Sequence, residues 1–313
     1  MQLNTTPSAK PPDRYAVLGR PVAHSQSPFI HAAFARQTGQ ALVYGRVECP
    51  LDGFEATLRA FIAAADPAAD GAADGAVDGA AGLGPARGCN ITVPFKFQVL
   101  PLAQRVSERA ALALAANVLG FDADGWWADN TDGIGLVRDI EGHAGHPLAG
   151  QRLLLIGAGG AAAGVLGPLI AAGCSAVTLA NRTLAKAQAL VQRHQAWADQ
   201  HGCRLRASAL DAPGEAFDLV INSSASSLAG AAVPVPARVL RPGTLALDLM
   251  YGPAAQPFLD WAQQHGATGR DGLGMLVEQA AESFSLWRGE MPATAPVLAA
   301  LREHLAATAA AQT

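Results

Sequence analysis

Gly157, Gly159 and Ala162 stand at the spacing G-x-G-x-x-G/A, directly after an uninterrupted apolar run, Leu153-Leu154-Leu155-Ile156. In that pattern the first glycine permits a tight turn and the second lets the backbone approach a pyrophosphate. The third small residue lets helix and strand pack closely. The helix N-terminus that follows offers unpaired N–H groups and a partial positive charge to a phosphate. Gly157, Ala158, Gly159, Gly160 and Ala161 are therefore candidate dinucleotide-binding residues; the plain alternative is a tight turn with no ligand.

A second apolar run, Ala176-Val177-Thr178-Leu179-Ala180, ends at Asn181-Arg182-Thr183, with Lys186 one turn further on. An NAD site places Asp or Glu here to bond the ribose 2′-hydroxyl, and that acid would repel a 2′-phosphate. A guanidinium instead pairs with phosphate through two parallel hydrogen bonds, which argues for NADP(H) as the cofactor.

Three further constellations can do chemistry. Lys96 lies just past a short strand, Asn90-Ile91-Thr92-Val93, that Pro94 ends. A lysine there donates a proton if it is partly desolvated and faces a carboxylate; otherwise it is a solvated lysine at a helix start. Ser25 and Ser27 stand two apart at a strand-to-helix junction. They can hold hydroxyl or carboxylate groups of a small ligand, or Ser27 can simply cap the helix that begins with Pro28. In Asp129-Asn130-Thr131-Asp132-Gly133, Asp132 either caps a helix from about Ile134 or is a buried carboxylate facing a cleft. Capping alone does not call for two Asp and an Asn in one run.

The elements that must position these residues alternate between strand and helix. Tyr15-Ala16-Val17-Leu18-Gly19 and residues 42–47 read as strands, and residues 53–65 as a helix with Phe54, Leu58, Phe61 and Ile62 on one face. Residues 66–87, with Asp-Gly pairs at 70, 74 and 78, have too little apolar side chain to offset ordering entropy and read as a low-complexity surface insertion. The spacing predicts one alanine-rich helix over 101–116, then a hairpin through Asp124-Gly125 into a strand carrying Trp126 and Trp127. Residues 143–150 read as a linker. After the glycine turn come a helix over 184–200, strands over 217–222 and 245–251, a helix over 257–265, a loop over 271–275, and helices over 276–287 and 296–310. Unbroken apolar strands, buried on both faces, belong to a parallel sheet.

The 313 residues suggest two domains, and half of them are apolar. A net charge of −4 with no basic block argues against a nucleic-acid partner. Residues 153–180 are uncharged, but Pro168 and the glycines at 157, 159, 160, 164, 167 and 173 fit strand-turn-helix-strand better than a membrane span. The first twelve residues lack the apolar segment of a secretory signal. Cys49, Cys89, Cys174 and Cys203 have neither metal-ligand spacing nor a disulfide pattern, so the expectation is a cytoplasmic protein with reduced thiols and no metal.

From about residue 15 to 305, interrupted mainly by the insertion, the chain resembles the shikimate dehydrogenase family. The resemblance rests on Ala23-His24-Ser25-Gln26-Ser27-Pro28, Asn90-Ile91-Thr92-Val93-Pro94-Phe95-Lys96, Asp129-Asn130-Thr131-Asp132-Gly133, the glycine turn, Asn181-Arg182-Thr183, and Asp271-Gly272-Leu273-Gly274-Met275-Leu276-Val277-Glu278-Gln279-Ala280. It implies that Ser25 and Ser27 hold the carboxylate of a small-molecule substrate. Thr92, Asn117 and Gln279 would bond its ring hydroxyls, with Tyr251 nearby. Lys96 and Asp132 would be the paired catalytic groups. The glycine turn would take the pyrophosphate, and Asn181, Arg182, Thr183 and Lys186 the 2′-phosphate side of NADP(H). Leu249 and Gly272 would lie along the nicotinamide.

The implied fold is α/β with two domains, an N-terminal α/β substrate domain with a mixed sheet plus a Rossmann NADP-binding domain. The substrate domain would span 13–133, completed by C-terminal helices over 272–313, and the NADP-binding domain 134–271. The cleft between them is expected to close on binding, and the assembly to be a monomer or homodimer. The implied reaction is reversible reduction of 3-dehydroshikimate to shikimate by NADPH. Three departures stand out: Val118 where the family usually has Thr, Ser227 where Gly is common, and Gln256 where Thr is common. The alternatives are a quinate/shikimate dehydrogenase with relaxed substrate or NAD use, a non-catalytic NADP-binding sensor, and a related two-domain dehydrogenase acting on folate intermediates. The serine pair and Arg182 favour shikimate and NADP, and the intact Lys96 and Asp132 favour an enzyme.

Overall fold

A computed structural model of the chain describes residues 11–64, 83–224 and 233–311. Its N-terminal half runs β1 (Asp13–Gly19), α1 (Ser27–Thr38), β2 (Leu42–Glu48), α2 (Phe54–Ala63), β3 (Ala86–Ile91), β4 (Arg105–Val106), α3 (Glu108–Ala113), β5 (Val118–Asp122), β6 (Gly125–Asp129) and α4 (Asp132–Arg138). The remainder runs β7 (Arg152–Ile156), α5 (Gly160–Ala171), β8 (Ala176–Ala180), α6 (Leu184–Gln200), β9 (Arg204–Ser208), β10 (Leu219–Asn222), β11 (Leu245–Asp248), α7 (Gln256–Gln264), β12 (Thr268–Arg270), α8 (Leu273–Arg288) and α9 (Thr294–Ala310).

The strands form two sheets. The first is mixed, in the order β2-β1-β3-β5-β6-β4, with β3, β5 and β6 antiparallel in sequence and β1 parallel to both its neighbours. The second is wholly parallel, in the order β12-β11-β10-β7-β8-β9. Numbered from β7, that is 3-2-1-4-5-6 read from β9, the doubly wound order in which ligands bind beyond the carboxyl ends of the strands where the winding reverses. The apolar run of β7 divides between two cores. Leu153 and Leu155 pack on one face, with Leu166, Leu169 and Ile170 of α5, while Leu154 and Ile156 pack on the other, with Phe258 of α7. Helices on both faces are why the run does not alternate.

Local chemistry redraws several expected elements. The helix expected over 101–116 is broken up: Arg105 and Val106 pair with Trp127 and Ala128 of β6, and the Ser107 hydroxyl then caps α3 by accepting from the Ala110 N–H. The left-handed φ of Leu114, 51°, ends that short helix. Ala86 and Arg87, expected at the end of the insertion, are the first residues of β3; residues 66–82 of that insertion lie outside the described residues. The short strands β4, β9 and β12 were not expected, because none carries an apolar run.

Helix α8 closes the molecule. It leaves the second sheet after β12, packs along α4, and returns to α1 and the first sheet. Two glycines permit the approach to α4: a Cβ on Gly135 would sit 2.6 Å from the Gln279 backbone nitrogen, and one on Gly274 would collide with the Asp139 carboxylate. Asp139 is fully buried and is gripped by Arg270 of β12, whose Nε lies 3.0 Å and Nη2 2.5 Å from its two oxygens. Further along, His31 of α1 stacks on Tyr44 of β2 at 4.1 Å and lies against Trp287 of α8. Burial pushes the His31 imidazole down to about 3, against a hydrogen bond with Asn90 that works the other way.

Removing one partner of a buried, hydrogen-bonded ion pair leaves the other charge uncompensated. Arg270→Met should therefore cost about 3–5 kcal/mol in urea unfolding; an unchanged midpoint would show that the pair adds nothing. His31 is neutral in the folded chain and titrates near 6.5 when unfolded, so the unfolded state binds the extra proton below that pH. Stability is then fully present above 6.5 and lost as pH falls toward 3, by up to ~1.4 kcal/mol per pH unit for this one group. The Tm of His31→Phe should fall less steeply than wild type between pH 6.5 and 5; parallel curves would remove His31 as a source of acid sensitivity.

Candidate active site

Lys96 sits in a single 3-10 turn, Phe95–Phe97, just past β3, and Asp132 is the first residue of α4. Lys96 Nζ donates to Asp132 Oδ2 at 2.5 Å, with side-chain exposures of only 15% and 6%. Asp132 is thus a buried carboxylate and not a helix cap: Thr131 holds the N-cap position, and Asn130 Oδ1 accepts from the Asp132 N–H at 3.1 Å. Asp132 Oδ1 accepts from Asn117 Nδ2 at 2.9 Å. The same Asn117 nitrogen also lies 3.0 Å from both Thr131 Oγ1 and Gln279 Oε1, so two hydrogens serve three acceptors. Gln279 reaches this point from α8, its own nitrogen donating to the Leu276 carbonyl at 2.9 Å.

A second buried network joins this one to the serine pair. Asn90 Nδ2 donates to the Asn117 carbonyl at 3.1 Å and to Ser283 Oγ at 3.2 Å. The Tyr44 hydroxyl donates to Asn90 Oδ1 at 2.6 Å and faces the Ser27 hydroxyl. Ser27 is the first residue of α1, but its side chain caps nothing; the Ser25 hydroxyl donates to it at 3.1 Å and accepts from its N–H at 3.3 Å. The expected Ser27 cap is therefore replaced by a hydroxyl pair. Tyr251 faces the backbone of Gln26 in the same loop, and burial pushes its phenol up. Thr92 follows β3, its N–H bonded to the Leu18 carbonyl at 2.9 Å and its methyl against Gly19. Val118 is fully buried in β5, in register with Asn90 and Asp129; Gln256 starts α7 on the surface, bonded to Asp260 at 2.7 Å. Ser227 lies outside the described residues.

The glycine turn lies against the lysine. Gly157 has φ +110°, a conformation that disfavours a side chain, and a Cβ there would meet Ser223 Oγ at 2.7 Å, just past β10. A Cβ on Gly160 would lie 3.6 Å from Lys96 Cβ, and one on Gly164, a turn further, 3.1 Å from Asp132 Oδ2. Gly159 is exposed with nothing within 4 Å of a Cβ position, and Ala158 and Ala161 flank it at the start of α5. The first turn of α5 therefore opens its unpaired N–H groups onto free space beside Lys96. Arg182 and Lys186 are exposed just past β8 and make no ion pair among the described residues, while Asn181 Nδ2 bonds the Thr183 carbonyl at 2.9 Å. A turn whose side chains are no larger than methyl groups and two cations without ion pairs among the described residues one strand away fit a phosphorylated dinucleotide. Leu249 and Gly272 touch: the Leu249 carbonyl would be 2.3 Å from a Gly272 Cβ.

The structure thus brings Lys96, Asp132, Asn117 and Gln279 into direct contact and places Ser25 and Ser27 next to Tyr44, which Asn90 links to Asn117. Thr131 and Ser283, 3.1 Å apart, also belong to the network and were not assigned from sequence. Thr131 lay inside a run already singled out, and Ser283 stands four residues after Gln279, on the same helix face.

Three family profiles match the chain: shikimate dehydrogenase substrate binding domain over residues 17–119, shikimate/quinate 5-dehydrogenase over 140–230, and shikimate 5′-dehydrogenase C-terminal domain over 272–302. A shikimate dehydrogenase (NADP(+)) of Methylibium petroleiphilum is 62% identical over 290 residues, covering 93% of this chain and 94% of that protein. Among solved structures, an Ael1 enzyme from Pseudomonas putida is 44% identical with a TM-score of 0.78, over 92% of this chain and 98% of that one. Shikimate 5-dehydrogenase from Thermus thermophilus, in complex with NADP(H) and shikimate, is 31% identical with a TM-score of 0.75, over 93% of this chain and 99% of that one. With relatives this similar along nearly their whole length, the chain belongs to the shikimate dehydrogenase family.

Proposed function

We propose that this protein catalyses the reversible reduction of 3-dehydroshikimate to shikimate with NADPH. The observation that carries the reading is the buried Lys96–Asp132 pair, flanked on one side by the glycine turn and on the other by the Asn117 and Gln279 side chains. Membership of a family whose relatives are named for this activity supports it. NADPH, which the glycine turn of residues 157–161 with Arg182 and Lys186 would hold, would supply the hydride that the ring carbonyl takes up. Lys96 supplies the proton that the resulting alkoxide takes up, and its charge stabilises that oxygen as it develops. Asp132 holds the ammonium in place and keeps an oxygen within reach of a ring hydroxyl.

The residues around the pair sort by chemistry. Ser25 and Ser27 offer hydroxyls to a carboxylate, and Thr92, Asn117, Gln279 and Tyr251 offer donors and acceptors to ring hydroxyls. Gly157, Ala158, Gly159, Gly160 and Ala161 would hold the pyrophosphate, Asn181, Arg182, Thr183 and Lys186 the 2′-phosphate, and Leu249 and Gly272 the nicotinamide. Residues 13–133 with 272–313 form the substrate part and 134–271 the cofactor part. Four free, buried cysteines support a reducing, cytoplasmic setting. No helix among the described residues is long and apolar enough to cross a membrane.

Lys96→Ala should lower kcat by roughly 10²–10⁴, the usual worth of a positioned acid, while shikimate still binds in calorimetry; a kcat near wild type would remove Lys96 from the chemistry. Arg182→Ala should raise KM for NADP+ about tenfold and leave KM for NAD+ unchanged, since only the former carries the phosphate. Equal effects on both cofactors would place the 2′-phosphate elsewhere.

A further inference from the structure

The serine pair is electrically neutral, yet the ligand group proposed for it is an anion. The loop that carries it is held by a cation. Arg46 of β2 donates from Nε at 2.9 Å and from Nη2 at 2.6 Å to the Ser25 carbonyl, so one planar guanidinium grips one oxygen with two hydrogen bonds. It has no acidic partner among the described residues, whereas Arg20 and Glu48 nearby, at 3.8 Å, neutralise each other. Tyr251 meets the Gln26 backbone in the same loop. Arg46 thus fixes one end of a three-residue loop whose hydroxyls converge, and it leaves an uncompensated positive charge at that loop.

We propose that Arg46 is a positioning residue for substrate recognition: it sets the Ser25–Ser27 hydroxyl pair and supplies the positive potential that draws in the substrate carboxylate. The inference rests on the serine pair being the carboxylate subsite of a shikimate dehydrogenase. The physical case has two parts. A carbonyl held by two donors fixes the Ser25 backbone, and from that fixed backbone the Ser25 hydroxyl reaches the Ser27 hydroxyl and N–H. A charge at an exposed site acts across a few ångströms of water and is screened by salt, so its contribution shows as an ionic-strength dependence. Lysine would keep the charge but, as a point donor, not the planar two-point grip.

The test is steady-state kinetics of wild type, Arg46→Met and Arg46→Lys with shikimate and NADP+, at low and at high salt. Arg46→Met should raise KM for shikimate about tenfold, leave kcat within about threefold and KM for NADP+ unchanged, and flatten the salt dependence of the shikimate KM. Arg46→Lys should retain the salt dependence with an intermediate KM. A shikimate KM within twofold of wild type and an unaltered salt dependence in Arg46→Met would overturn the proposal, as would equal losses in kcat and in both KM values, which would mark general damage. No turnover of shikimate by the wild type would overturn the functional reading on which it rests, and so is distinguishable from failure of Arg46 alone.

Discussion

A lysine and an aspartate in contact, both nearly shut off from water, set the terms for everything around them. Each ion loses several kcal/mol of hydration on burial, and their attraction offsets this only when the remaining lone pairs and hydrogens are also bonded. Asp132 meets that condition with Lys96 on one oxygen and Asn117 on the other, at the N-terminal end of α4 where a negative charge is favoured. Asn117 is held in turn by the Thr131 N–H, which donates to its Oδ1 at 2.8 Å. The polar groups are thus specified outward from the pair, and the backbone follows: β5 must bring Asn117 in, α8 must bring Gln279, and α5 must come close enough to exclude water.

Close approach explains the glycines along α4, α5 and α8. Gly135, Gly164 and Gly274 each stand where a methyl group would strike a neighbouring helix or the site itself. Their helix-destabilising tendency is offset by the packing they allow. The Asp139–Arg270 grip then ties the end of α4 to the last strand of the second sheet, so that two sheets with separate cores share a common helical seam.

Much of this was legible in the chain. The glycine turn, the serine pair, Lys96, Asp132 and the Asn-Arg-Thr run are local patterns, and each lies where a strand ends, as the alternation of apolar runs and turns implied. The buried parallel strands of the second sheet and the hairpin before Asp129 follow from short-range periodicity and turn chemistry, whereas the doubly wound strand order was implied by the family resemblance and is set by the fold. The alanine-rich stretch over 101–116 misled because helix propensity there is high, while pairing with β6 and a serine cap decide the outcome. Ser27 and Asp132 look like helix caps in sequence because Ser and Asp are the residue types that cap helices; only their partners in the fold, Ser25 for one and Lys96 with Asn117 for the other, show that neither does so.

Sequence by itself determined which chemistries are available, since side-chain type and near-neighbour spacing are properties of the chain. It determined that a glycine turn, a lysine and a carboxylate would each stand at a strand end. Tertiary structure alone decided that they meet. Lys96 and Asp132 are separated by 36 residues, and Asn117 and Gln279 by 162. No periodicity spans such intervals, and their contact depends on sheet order and on helices packed to within a methyl group. The same holds for Arg46: its place in β2 was readable, but its grip on the Ser25 carbonyl arises only when an edge strand and the loop after β1 fold side by side.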